Sequence, residues 1–290
     1  MRTTVLFGLS LAALALVLAA TATGKPAEPA AIPGCAKSGL NLLEDGRLTL
    51  GTDNPAFPPW WGGAPKKPWQ VSNPASGKGY ESAVAYAVAR QLGFTKGQVD
   101  WVHVPFAQSY RPGDKDFDFY MAQVSHTPER AKVVDFSNSY YFVFQSLVGL
   151  EGTGITRARS IADLKPYRLG AQLGTTSYHY IVRNIRPEEH PLVYRSNDLA
   201  VQALKNGRID GIVVDMPTAF YVTGVQVEDS MIVGRFASLG GRERFGTVFE
   251  KGNTLRRCVN RALNRLWANG TIKRLQNSTL PSGTELRVLR

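Results

Sequence analysis

The chain alternates two kinds of apolar pattern from residue 47 onward. RLTLGTD, VDWVHVPF and FDFYMAQV (beginning at 47, 99 and 117) place apolar side chains at every second position or in short runs, which predicts strands. ESAVAYAVARQLGF, between the first two, spaces its apolar residues three and four apart and closes on Gly93, which predicts a helix with a glycine stop. YYFVFQSLVGL (140–150) predicts one long strand. SIADLKPY predicts a single helical turn, and YRLGAQLG a strand followed by a helix over TTSYHYIVRNI. LVYR, NDLAVQALKNGR and IDGIVVD then predict strand, capped helix and strand, and LRRCVNRALNRLWANG a final amphipathic helix stopped by Asn269-Gly270. Strands alternating with helices predict an α/β fold with mixed, mostly parallel sheets. The runs YYFVFQSLVGL and RFASLGGRERFGTVFEKG are candidate crossings between two lobes, and a cleft between lobes is a frequent ligand site.

The first residues break this pattern. MRTTVLFGLSLAALALVLAATATG has a basic start, an apolar stretch from about Val5 to Ala20 and the small-residue run Ala20-Thr21-Ala22. That is the form of a secretory signal peptide, expected to occupy 1–22. The expected organisation is a signal at 1–22, a leader at 23–40, a first lobe at 41–143, a second at 144–240 and a return to the first at 241–290. An exported chain meets oxidising conditions, so Cys35 and Cys258 suggest one disulfide. Lipidation of Cys35 in IPGC and two free thiols are the alternatives. The formal net charge of +11 raises nucleic acid as a partner, but the Lys and Arg residues are dispersed and no nucleic-acid-binding signature is present.

Three strand-to-helix junctions hold the candidate chemistry, and ligands of α/β sheets bind at such junctions. The first is Ser125-His126-Thr127-Pro128-Glu129-Arg130. Its Thr-Pro-Glu run reads as a helix start, where a following cation faces the positive end of the helix dipole. An anionic ligand accounts for Arg130 there; pairing with Asp135 is the structural alternative. The second is Gly174-Thr175-Thr176-Ser177, whose hydroxyls and N–H groups suit an anion or simply cap the helix. The third is Asp215, complementary to an ammonium or a cap for the next turn. A carboxylate site and an ammonium site together describe an α-amino acid.

LTLGTDNPAFPPW, GYESAVAYAVARQLG, FDFYMAQVSHTPERAKVVDFSNSYY, IADLKPYRLGAQLGTTS, ALKNGRIDGIVVDMPTA and FGTVFEKGNTLRRCVNRALNRLWANGTI resemble, in family order, the family 3 extracellular solute-binding proteins of polar amino acid ABC transporters. The resemblance implies a two-lobed type II periplasmic-binding fold with a two-strand hinge. It also implies a periplasmic or extracytoplasmic site of action, an L-α-amino acid as ligand, and membrane permease subunits as partners. By similarity Arg130 grips the α-carboxylate with Ser125 or Thr127 and the Thr175-Thr176 turn. Asp215 takes the α-amino group, Asp53 lines the side-chain end, and Phe57 or Trp60 stacks on the ligand. No cofactor or metal is implied, and a monomer is expected.

Departures from the family pattern touch the pocket. His126 stands where an aliphatic residue is usual, the second acid of the G-F-D-V-D run is lost in Gly79-Tyr80-Glu81-Ser82-Ala83, and WWGGAPKKPWQVSNPASGKG is longer than usual and suggests a rim over the cleft. An enzyme reading, a secreted dehydratase on the same fold acting on a small carboxylic acid, is the alternative. The four histidines lack metal-site spacing, and there is no P-loop or nucleophile elbow. Such an enzyme has no use for an ammonium site at Asp215.

Overall fold

The computed structural model describes residues 29–238, 241–283 and 285–290. The signal peptide expected at 1–22 lies outside them. The first lobe opens with β1 (Leu48–Thr52), followed by helix α1 (Tyr80–Gln91) and β2 (Val99–His103). Short α2 (Phe106–Ser109) leads to β3 (Phe119–Tyr120), and α3 (Pro128–Ala131) to β4 (Asp135–Phe136). Leu48 and Leu50, two apart on one face of β1, have no exposed surface. α1 buries Tyr80, Val84, Ala85, Val88 and Ala89 at helical spacing, and it ends in a Schellman arrangement. There Gly93, at φ +84°, donates to the carbonyl of Arg90, and Phe94 to that of Ala89.

The chain leaves this lobe through β5 (Tyr141–Val143) and enters the second as β6 (Gln145–Leu150). One long strand was expected over 140–150. The strand breaks at Phe144 because the hydrogen-bonding partner changes there, from a hinge strand to the second sheet. The second lobe continues with β7 (Leu169–Gln172), α4 (Thr176–Tyr180), β8 (Leu192–Tyr194), α5 (Asn197–Lys205), β9 (Gly211–Asp215), α6 (Met216–Tyr221) and β10 (Ser230–Phe236). The helix expected over 175–185 starts as α4 and widens to a π-helical turn at Ile181–Ile185. The chain returns through β11 (Glu243–Phe245) to β12 (Val248–Phe249), α7 (Leu255–Ala268) and α8 (Thr271–Thr279). A last strand, β13 (Val288–Leu289), follows.

Two sheets result. The first has the order β2-β1-β3-β12-β4, with β1 parallel to β2 and β3, and β12 antiparallel to its neighbours. The second has the order β13-β10-β6-β9-β7-β8, in which β6 runs antiparallel to β10 and β9. Between them β5 and β11 pair antiparallel, Val143 opposite Glu243 and Tyr141 opposite Phe245. This pair is the hinge. The crossings expected within 140–150 and within RFASLGGRERFGTVFEKG thus narrow to 141–143 and 243–245. One boundary also needs correcting: 241–290 was expected to lie wholly on the first lobe, yet β13 pairs parallel with β10 in the second sheet.

α7 buries Leu255, Cys258, Val259, Ala262, Leu263 and Leu266 against the first lobe. Cys258 is joined to Cys35 by a disulfide of S–S length 2.05 Å, 223 residues apart in sequence. Arg261 donates to the carbonyl of Pro33, and Arg265 to those of Ala30 and Ala31, so the leader is held along the helix.

Candidate functional site

A cavity of about 560 Å³ lies between the lobes. Of the nine residues proposed from sequence, Asp53, Phe57, Trp60, Ser125, Arg130, Thr175, Thr176 and Asp215 line it. Thr127 does not: its hydroxyl accepts from the backbone N–H of Arg130 at 3.2 Å, capping α3. β1, α2 and the loop before α3 bring the first-lobe groups to the cleft, while the starts of α4 and α6 bring those of the second.

Arg130 is 8% exposed. Its guanidinium donates from Nη1 to the carbonyl of Ser125 at 2.7 Å and from Nη2 to that of Gly174, across the cleft, at 2.8 Å. It also lies 4.4 Å from the ring centroid of Tyr110. These partners are neutral, and burial lowers its pKa from the ordinary arginine value. The alternative pairing with Asp135 does not occur, since Asp135 sits with Lys251 at 3.1 Å and Arg256 at 3.8 Å. Gly174 is bound to be glycine: φ is +73°, and a Cβ there would come within 2.7 Å of the Tyr110 hydroxyl.

Asp215 ends β9 and caps α6, accepting from the Thr218 N–H at 3.0 Å and the Thr218 hydroxyl at 2.8 Å. Burial pushes its carboxyl up to about 6, the nearby Glu243 charge adding to the rise. An ammonium placed here supplies the positive charge its own partners lack. Thr175 likewise caps α4, its hydroxyl 3.1 Å from the N–H of Tyr178 and 2.7 Å from the carbonyl of Gln172. Both capping alternatives are therefore present alongside the cavity position.

At the far end Asp53 lies 3.5 Å from His103 Nε2, and burial raises its carboxyl above the usual range. Phe57 meets Tyr221 of the opposite lobe with ring centroids 5.9 Å apart. Trp60, in contrast, is almost wholly buried among Tyr80, Tyr141 and Phe245, and its Nε1–H donates to Thr218 Oγ1 at 3.1 Å. Of the two residues expected to stack on a ligand, Phe57 faces the opposite lobe at the cavity and Trp60 is packed into the cavity wall. His126 packs on Phe136 outside the cavity lining, so the polar edge expected from it does not form. Trp60 and Trp61 are the residues of the long Trp/Pro/Gly segment that line the cavity.

Sequence reading missed several groups. Gln123 lines the cavity at φ +53°, a left-handed conformation costly for a residue with a Cβ. Its N–H donates to buried Glu81 at 2.8 Å, and its amide and the Tyr140 hydroxyl donate to the same carboxylate. Burial raises Glu81 to about 7. Glu243 was missed as well. It accepts at Oε1 from the hydroxyls of Ser125 and Thr176, both at 2.6 Å, and at Oε2 from Gln145 Nε2 at 3.0 Å. Nothing local in RERFG marks Glu243; only the hinge pairing brings it to the Ser125 and Thr176 hydroxyls that line the cleft. Among the described residues no group of three or more His, Cys, Asp or Glu side chains is placed to hold a metal ion. None of their helices is long and apolar enough to cross a membrane.

Known proteins resemble the chain in sequence and in fold. The chain is 28% identical over 176 residues to the ABC transporter arginine-binding protein 1 of Escherichia coli, covering 58% of this chain and 68% of that protein. It is 27% identical over 189 residues to a probable histidine-binding protein of Campylobacter jejuni, covering 64% and 69%. Among solved structures, an ancestral arginine-binding protein bound to arginine superposes with a TM-score of 0.66 at 27% identity, covering 81% of this chain and 99% of that one. The family model described as bacterial extracellular solute-binding proteins, family 3, matches residues 62–281, three quarters of the chain. The two-lobed fold is thus that of a known class, and the chain belongs to the family 3 bacterial extracellular solute-binding proteins.

Proposed function

We propose that the chain is the extracytoplasmic substrate-binding component of an amino-acid ABC importer, capturing an L-α-amino acid with a polar side chain in the interlobe cleft and presenting it to membrane permease subunits. The observation that carries this reading is the pairing of opposite charges on facing lobes. Arg130 comes from the first lobe and Asp215 from the second, both line one cavity, and each is bonded only to neutral groups among the contacts described. Arginine binds a carboxylate through two parallel N–H donors, and a carboxylate takes an ammonium. Phe57 and Tyr221 cover the ligand's body, and Asp53, His103 and Arg195 face its side chain. The relatives named for arginine and histidine support a polar side chain. A dehydratase reading finds no support in those names, and it leaves Asp215 unused.

The test is a thermal-shift panel of the twenty standard L-amino acids on protein stripped of ligand by unfolding and refolding. A ligand that binds only the folded state stabilises it by RT ln(1 + [L]/Kd), roughly 2.7 kcal/mol at a hundredfold excess over Kd. A clear rise in Tm with at least one of them is expected. No shift with any would overturn the reading.

A further inference from the structure

Glu243 sits where its carboxylate interferes with the ligand's own. It lies on hinge strand β11, partly exposed through a second cavity of about 250 Å³ behind the hinge. Ser125 of the first lobe and Thr176 of the second both line the main cavity, and their hydroxyl oxygens are 3.3 Å apart. Each also stands 2.6 Å from the same Glu243 oxygen. A hydroxyl has one proton, and an ionised carboxylate can only accept. The two 2.6 Å contacts to Glu243 outcompete the 3.3 Å contact in which either hydroxyl could donate to the other, so both protons go to Glu243 and each oxygen is left to the cleft as an acceptor. Ser177 repeats the effect at one remove. It lines the cavity and spends its proton on Gln145 Oε1 at 2.7 Å, while Gln145 Nε2 donates to Glu243.

The ligand carboxylate is itself acceptor-only, so this wall opposes it by lone pairs and by charge. The charge of Glu243 reaches both ends of the site. It counters the burial that lowers Arg130 and adds to the burial that raises Asp215.

We propose that Glu243 is a specificity-determining residue that holds down the affinity for the ligand's α-carboxylate, leaving Arg130 as the carboxylate's main partner and the wall of Ser125, Thr176 and Ser177 as an acceptor surface. A binding protein that hands its cargo on needs release as well as capture, and an anion built into the hinge shortens the stay of an anionic group. This rests on the amino-acid reading above.

The experiment compares two probes: the standard L-amino acid with the largest shift in the panel, and its α-amide, which lacks the carboxylate charge. Titration calorimetry gives Kd for each with the unaltered protein, with Glu243→Gln and with Glu243→Ala. Glutamine still accepts from the two hydroxyls but carries no charge; alanine frees their protons for the ligand. In both variants the preference for acid over amide is expected to rise about tenfold or more, because both probes lose the same attraction at the ammonium while the acid alone is relieved of repulsion at its carboxylate. A merely structural role moves both probes alike and leaves the ratio unchanged; an unchanged or falling ratio, in either folded variant, overturns the proposal. Absence of any amino-acid binding by the unaltered protein overturns the parent reading instead, and this one with it.

Discussion

The two lobes face one cavity with walls of different construction. The first is built on rings: Trp60, Tyr80, Tyr140, Tyr141 and Phe245 pack into one buried cluster, and the Cys35–Cys258 bond closes its back. The second is built on Leu147, Ile155, Ile181, Val213, Ile212 and similar aliphatic residues in two smaller clusters. Aromatic side chains bury large areas with few rotatable bonds, so the first lobe holds its wall through tertiary packing. The second holds its site groups locally, through the caps at Thr175 and Asp215. A locally held site can travel with its lobe unchanged. The difference suits a fixed half and a moving half.

The largest expected effect breaks the fixed half. Replacing Cys35 and Cys258 by serine opens a loop of 223 residues' separation, worth about 5 kcal/mol in the chain-entropy model. Denaturant unfolding measures the loss, and hydrogen exchange locates it. Faster exchange is expected in α1 and α7, with β6 and β9 unchanged; equal loosening of both lobes would erase the contrast.

Next comes the charge from each half. Arg130→Ala removes the proposed partner of the ligand carboxylate, a loss of roughly 2–5 kcal/mol if that pair is buried as proposed, and so weakens binding by at least about 30-fold. Asp215→Asn is the matching change in the second lobe, because asparagine caps a helix as well as aspartate does. It should weaken binding similarly with little change in Tm. Calorimetry with des-amino and decarboxylated analogues tells the two ends apart. Near-native affinity in either folded variant would make that residue structural.

A smaller effect sharpens the comparison by pH. Glu81 belongs to the first lobe, and its folded carboxyl is raised to about 7 from an ordinary value near 4.5. The folded state holds that proton more tightly than the unfolded chain does. Its contribution is therefore complete below about 4.5 and lost as pH rises through about 7, on the order of 3 kcal/mol in all. Glu81→Gln, compared with the unaltered protein in Tm between pH 4 and 8, should lack that decline. Parallel curves would show that Glu81 ionises freely. The smallest effect concerns the interlobe ring pair: Phe57→Leu should weaken ligand binding by a few-fold, about 1 kcal/mol, with stability unaltered.

Local rules were legible where one element makes its own case. The spacing of Leu255, Cys258, Val259, Ala262, Leu263 and Leu266 declares a helix face, and Gly93 declares where α1 ends. Arg130 at a helix start was legible too, because a cation there opposes the local dipole. What stayed hidden depends on distant partners. The break at Phe144 reflects which strand lies beside it, and no pattern within YYFVFQSLVGL records that. Trp60 looks in sequence like a stacking platform, and only the rings of Tyr80, Tyr141 and Phe245 around it show a brace. Glu243 is one acid in a run of charges until β11 pairs with β5. β13 is two residues long, too short for any periodicity.

That short strand changes the mechanics of the whole molecule. With β5–β6 and β10–β11 alone, the lobes would swing like a door on two neighbouring leaves. β13 adds a strap: the chain leaves α8 on the first lobe and fastens again to β10 on the second. Gly283 passes so near Met216 that no side chain fits between them. The strap, residues 280–287, gives nine Cα steps between Thr279 and Val288 and reaches at most about 32 Å when fully drawn out. The end of α8 and the start of β13 cannot part further than that without tearing β13 from its sheet. However the lobes move, the length of this connector bounds the separation of those two points.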